Sequence, residues 1–317
     1  MLHFDAAAVQ RALPWETLIP ALRQAFIQGC EVPARHAHAI DTAGSNGTAL
    51  LMPAWRTGGG LGVKTVTIFP GNGALGLPAV HAVYTLFSAS TGVPLAVMDG
   101  SELTARRTAA ASALAASLLA RHDSRRLVLV GAGRVAALVP AAFRTVLPGL
   151  VEVQVWGRQA QRAEALAQSL REQGFRANAT PDLQAAVQQA DIVSCATLAT
   201  LALVHGAWLQ PGAHLDLIGS FTPQMREADG DCFLRSRAFV DTEEALAKAG
   251  DLLQAIAEGA FTSGALQGTL ATLCLDPSTG RRAPHEITLF KSVGTALEDL
   301  AAAEQVLAAA DNPPSSA

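Results

Sequence analysis

No apolar stretch in this sequence is long enough to cross a membrane. The alanine-rich run after Arg107 breaks at Arg121, short of the ~18 apolar residues that a spanning helix takes. Cysteine is scarce. Cys30, Cys195, Cys232 and Cys274 lie far apart, without the paired spacing of a zinc site or a redox dithiol, so no metal is expected. Charge is thin as well: 16% of residues, net −4, with a pI near 6.1. That balance gives neither nucleic acid nor an anionic lipid surface anything to bind. Met1-Leu-His-Phe-Asp5 has no basic region followed by an apolar one, so no secretory signal is expected. A cytoplasmic protein with reduced thiols is the expectation.

Apolar residues, by contrast, make up half of the 317, and mean hydropathy is +0.27. A sizeable core is assured, and the length suggests about two domains. Much of the apolar content is alanine, which suits closely packed helices. No internal repeat is visible.

The stretch around which the chain is organised runs from Arg126 to Ala136. Leu127 to Val130 reads as a strand buried on both faces. Gly131-Ala132-Gly133 follows, and then a helical segment to about Val146. Gly131 permits the tight turn, Gly133 lets backbone approach a pyrophosphate, and Ala136 lets helix and strand pack closely. The helix N-terminus then faces the anion. A βα turn that binds nothing is the alternative.

Before this unit, Asp5 and Pro14-Trp15-Glu16 open two helices, the second ending at Gly29. Extended segments are expected at Arg35 to Ile40, Ala49 to Ala54, Leu61 to Ile68, Ala79 to Phe87 and Leu95 to Met98. They would form an antiparallel or mixed sheet. A helix from Ser101 or Thr104 to Arg121 leads onward. After it, strands at Val151 to Trp156, Phe175 to Ala177, Ile192 to Cys195, His214 to Ile218 and Ala238 to Val240 alternate with helices. An α/β fold with a Rossmann-type doubly wound parallel sheet follows. Glu286 to Ala310 is expected as one long helix, and Asn312 to Ala317 as a disordered tail.

The second strand ends in Trp156-Gly157-Arg158, with no acid to hold a ribose. Arg158, with Arg162, would pair with a 2′-phosphate, which favours NADPH, with NADH possible. Other cations stand in apolar surroundings: Arg35, Lys64 and Arg107. Converging, they would hold a small carboxylate. Singly, each would be a snorkelling surface residue.

Several strings resemble the ornithine cyclodeaminase and mu-crystallin family. They are Gly62-Val-Lys64, Leu103-Thr-Ala-Arg-Arg-Thr-Ala-Ala110, Ile218-Gly-Ser-Phe-Thr-Pro-Gln-Met-Arg-Glu227 and Glu286-Ile-Thr-Leu-Phe-Lys-Ser-Val-Gly-Thr-Ala-Leu-Glu-Asp-Leu-Ala301. The resemblance covers nearly the whole chain. It implies a Rossmann domain over residues 121–285. It also implies a discontinuous α+β substrate and dimerisation domain over 1–120 with 286–317, a homodimer, and a substrate lying between the domains. Arg35, Lys64 and Arg107 match the family's substrate-carboxylate positions. Gly131, Gly133, Arg134 and Val135 match its pyrophosphate loop, Ala196 and Thr197 its cofactor-lining segment, and Val293 and Gly294 a loop or helix start near the nicotinamide.

The departures narrow the chemistry. Phe221 stands where cyclodeaminases carry an acting aspartate, Met225 where they carry a lysine, and Leu50 where an acid would hold ornithine's far amine. Asp216 is expected inside a strand, and Glu227 to cap or start a turn. Without the acid, hydride transfer to a preformed cyclic ketimine remains, as in the family's reductases of delta-1-pyrroline-2-carboxylate and delta-1-piperideine-2-carboxylate. Lys64 is expected to place charge near the developing amine; His81 is a second candidate proton donor or else a core histidine. Two alternatives stay open: another family activity (an alanine-type dehydrogenase or ornithine cyclodeaminase), and a non-enzymatic crystallin-like binding protein.

Overall fold

The computed structural model describes residues 1–42 and 45–311; the expected tail at Asn312 to Ala317 lies outside them. The described chain divides into two units, Met1–Arg107 with the chain from Thr295 onward, and Thr108–Gly294.

The first unit opens with β1 (Leu2–Phe4), α1 (Ala6–Ala12) and α2 (Trp15–Gln28). The Asp5 carboxylate caps α1 by accepting from Ala8 N at 2.8 Å. Next come β2 (His36–Thr42), β3 (Ser45–Trp55), β4 (Gly60–Ile68), β5 (Val80–Ser88) and β6 (Pro94–Asp99). Among the described residues these make a six-stranded sheet in the order β1-β6-β5-β4-β3-β2. It is antiparallel except where β1, too short for sequence periodicity to reveal, runs parallel to β6. Helix α3 (Gly100–Leu119) carries the chain into the second unit.

There the chain runs β7 (Arg126–Val130), α4 (Arg134–Val146), β8 (Glu152–Trp156), α5 (Ala160–Glu172), β9 (Arg176–Ala179), α6 (Leu183–Val187), β10 (Ile192–Cys195) and β11 (His214–Leu217). It continues through α7 (Gly230–Leu234), β12 (Ser236–Val240), α8 (Ala245–Lys248), α9 (Gly250–Ala257), β13 (Gly268–Thr269), α10 (Leu270–Leu275) and β14 (Ile287–Lys291). The described strands form one parallel sheet, ordered β13-β12-β14-β11-β10-β7-β8-β9. From β7 the chain winds outward to β9, then returns to lay β10 on the other side of β7. That reversal opens a crevice at the carboxyl ends of β7 and β10. Both strands are buried on both faces, as the apolar run at Leu127 to Val130 requires.

The segment from Glu286 departs from expectation. Ile287–Lys291 is a strand, buried at every position, between β11 and β12. The two units divide after Arg107 and after Gly294, where the expectation put the divisions after 120 and 285. A short apolar run that leads into a helix has no periodicity of its own to mark it as a strand. The helix proper, α11 (Ala296–Asp311), returns the chain to the first unit and packs on β3, β4 and β5. The row that it covers is Met52, Lys64, Tyr84 and Met98, each opposite the next across four strands and all buried. Gly62, two residues before Lys64, leaves room for the Tyr84 ring: a Cβ there would overlap the Tyr84 hydroxyl.

Candidate active site

In the second unit the crevice is a cleft of about 300 Å³ at the glycine turn, with Trp156, Arg158, Ala196 and Thr197 on its walls. Gly131 has φ of +118°, and a Cβ on it would lie 2.6 Å from Ala196 O. Only glycine fits there. Gly133 is the N-cap of α4 and supplies no side-chain cap; a Cβ built on it meets nothing within 4 Å. Helix α4 therefore begins at Arg134 with no side chain capping its N-terminus. A glycine turn running into an uncapped helix N-terminus is the arrangement that suits an anion such as a pyrophosphate. Ala136 behind it is fully buried, as close helix–strand packing needs. Arg158 and Arg162 flank the cleft, exposed, and make no ion pair or hydrogen bond among the described residues.

The walls are held by carboxylates of which sequence reasoning gave little sign. Glu227 does not cap a turn. It is fully buried, and its Oε1 accepts from Thr197 N at 2.6 Å and Thr197 Oγ1 at 2.8 Å. Burial pushes its pKa up to about 7, against the pull of Lys291. Asp251 accepts from the amides of Glu227 and Ala228 and lies 3.4 Å from buried Lys291 Nζ. Asp241, at the end of β12, accepts from Val293 N at 2.8 Å and Gly294 N at 2.6 Å, which fixes that loop. Asp216 is inside its strand as expected, receiving the Ser112 and Ser194 hydroxyls; burial raises its pKa to about 6.

After β11, Ser220 takes a positive φ of 53°, held by donating to Met225 O and accepting from Asp251 N. Such strain in a non-glycine residue marks a segment whose shape matters. Phe221 follows and is 44% exposed. No acid stands at that position.

The first unit brings two of the three expected cations together. Lys64 Nζ is 2.6 Å from Asp299 Oδ2, while Arg107 Nε is 2.8 Å from Asp299 Oδ1 and its Nη1 2.5 Å from Glu298 Oε2. The cluster is buried, and its charges balance. Burial lowers the Lys64 pKa to about 8, with Asp299 opposing. Burial also works against Arg107, but Asp299 and Glu298 outweigh it and raise its pKa. Arg35, half-buried, immediately precedes edge strand β2, two strands away from Lys64. His81 differs from expectation. It pairs with Thr67, three residues before Tyr84 on β5, so alternation puts it on the opposite face from Lys64. It is exposed, neither a core histidine nor a neighbour of Lys64. Glu298 and Asp299 were legible only as acids in an apolar helix.

A doubly wound parallel sheet with a glycine-turn cleft at its switch point is the arrangement of dinucleotide-binding domains. Together with the reductases that the chain resembles, it makes this protein a nicotinamide-dependent oxidoreductase. The chain belongs to the ornithine cyclodeaminase/mu-crystallin family, whose model matches residues 4–312. It is 42% identical to a delta(1)-pyrroline-2-carboxylate reductase of Paracoccus denitrificans, over 93% of this chain and 92% of that one. A Thermococcus litoralis delta(1)-pyrroline-2-carboxylate reductase, solved with NADH and L-proline, superposes with a TM-score of 0.91 at 31% identity, covering 98% of both chains. An archaeal alanine dehydrogenase dimer with bound NAD has a TM-score of 0.89 at 27% identity, over 100% of this chain and 98% of the other.

Proposed function

We propose that this enzyme reduces cyclic ketimines: delta-1-pyrroline-2-carboxylate to L-proline, and delta-1-piperideine-2-carboxylate to L-pipecolate. The reading is carried by the first unit, where buried Lys64 and Arg107 meet on Asp299; in the second unit a phenylalanine, Phe221, stands where cyclising deamination would need an acid. Arg107 Nη2 and the remaining protons of Lys64 have no acceptor among the described residues. They are the donors for a substrate carboxylate, with Arg35, just before β2, as a third cation. The dinucleotide, when bound, supplies the hydride that adds to the imine carbon. Gly131, Gly133, Arg134 and Val135 hold its pyrophosphate, and Ala196, Thr197, Val293 and Gly294 line its site. Lys64, with its pKa brought near neutrality, holds a proton for the nitrogen that becomes the amine. His81 takes no part in that transfer.

NADPH is the favoured cofactor, because Arg158 is uncommitted and no acid stands at the end of β8 to repel a 2′-phosphate. The first unit is the dimerisation and substrate domain. The sheet face turned away from α11 exposes Leu51 and Val83, which fits a homodimer. Four free cysteines fit a cytoplasmic enzyme, and no helix among the described residues is long and apolar enough to cross a membrane.

The test is consumption of reduced cofactor with delta-1-pyrroline-2-carboxylate, run beside pyruvate with ammonia and beside L-ornithine with oxidised cofactor. Turnover of the cyclic imine and no ammonia from ornithine are expected. Faster reduction of pyruvate with ammonia, or ready conversion of ornithine, would replace this reading with the corresponding activity.

A further inference from the structure

The chain holds only three lysines, Lys64, Lys248 and Lys291. Two of them are fully buried against a carboxylate. In the first unit that carboxylate serves two masters: Asp299 gives Oδ2 to Lys64 and Oδ1 to Arg107. A bridging carboxylate with one oxygen per cation fixes both side chains at once, and turns their uncommitted donors away from itself. A residue that only balanced charge could pair with either cation. From these contacts we propose that Asp299 is the positioning residue of the carboxylate-binding site: it holds Lys64 charged and sets Lys64 and Arg107 in register to share one substrate carboxylate. The proposal rests on the ketimine-reductase reading for the identity of the substrate, but not for the behaviour of Lys64.

The surroundings of Lys64 bear this out element by element. Helix α11 faces it with Asp299 and Glu298, α3 with Arg107, and β5 with the buried Tyr84. Arg107 repels its charge, and burial disfavours it more strongly still. Of the groups that favour it, Asp299 acts most strongly and alone makes direct contact, while Glu298 acts at longer range through Arg107. Removing the Asp299 charge therefore removes the chief reason for Lys64 to stay protonated.

Lysine labelled with carbon-13 at Cε gives three signals, one per residue, and the proton on each can be followed directly by NMR. In the unmodified protein the Lys64 signal is expected to titrate near pH 8. In Asp299→Asn it should titrate about 1–3 pH units lower, the span that a close opposite charge commands. Glu298→Gln should move it much less. In parallel, Asp299→Asn should raise KM for the imino acid while leaving KM for the nicotinamide cofactor unchanged, and should move the alkaline limb of kcat/KM to lower pH. If Asp299→Asn does not fold, Asp299→Ser, which leaves room for water on both cations, carries the same measurement. An unchanged Lys64 titration in the folded variant overturns the proposal. So does an equal shift in Glu298→Gln. If the unmodified protein reduces no cyclic imine, the substrate reading fails, and the titration still decides the role of Asp299.

Discussion

At the scale of single residues, the site trades solvation for specificity. A lysine and an arginine under a helix are costly unless paired, and here both are paired by α11 with donors to spare. Charge-assisted hydrogen bonds contribute about 1.5–3 kcal/mol, so Arg107→Ala should lower kcat/KM for the imine by roughly tenfold to a few hundredfold. Unchanged efficiency in a folded variant would remove Arg107 from the site. The sign of the pH dependence follows from Lys64. Its ammonium is present below about pH 8 and lost above, so kcat/KM should be level near neutrality and fall by about tenfold per pH unit beyond that point. A profile still flat at high pH would free Lys64 from the reaction. Arg158 acts on the other partner: Arg158→Ala should raise KM for NADPH and leave that for NADH nearly unchanged. Equal changes would mean that the cleft accepts both riboses through Trp156 and Gly157 alone.

At the scale of elements, the glycine turn is the least forgiving piece. Gly131→Ala would put a methyl group 2.6 Å from Ala196 O at a φ of +118°. The left-handed backbone alone costs about 1–2 kcal/mol for alanine, and the collision must spread β7 from the chain after β10, beside the proposed cofactor cleft. Cofactor affinity, measured by quenching of protein fluorescence, should fall by more than about tenfold, while the first unit keeps its Lys64 titration. Unaltered affinity would show that the turn does not cradle the pyrophosphate. This turn was legible in the sequence because strand, glycines and helix follow one another locally. The strands and helices around it were legible for the same reason, through runs such as Ile192 to Cys195 with period and punctuation of their own. Strand β14 was not, because Ile287–Lys291 is identified by the strands on either side, both distant in sequence. His81 was misplaced because a lone histidine in a strand carries no mark of which face the helices cover. Asp299 was missed and Glu227 given the wrong partner: an acid in an apolar stretch shows that a partner is needed, but not which one.

At the scale of the whole molecule, the first unit's sheet has one face under α11 and one left open. On the open face Leu51, Thr65 and Val83 stand opposite one another, flanked in the same row by His36 and Asp99, with Pro53, Val63, Thr85 and Val97 in the next row. Leu51 is 37% and Val83 48% exposed. A sheet face that leaves Leu51 and Val83 in water fits a second copy, and stable homodimers bury about 800 Å² or more on each partner. Two-fold symmetry places each residue of the patch in the interface twice, so a single substitution acts twice. Val83→Asp would put a carboxylate opposite Asp99 on each copy, two pairs of like charges in one interface. An unpaired buried charge costs about 3–5 kcal/mol, enough to weaken a dimer by several hundredfold at least. Sedimentation should therefore show a dimer for the unmodified protein and a species near the chain mass of 32.8 kDa for Val83→Asp. Lys64, on the covered face of the same sheet, should titrate as before. A dimer that survives both Val83→Asp and Leu51→Asp would place the interface elsewhere, and the apolar face would need another explanation.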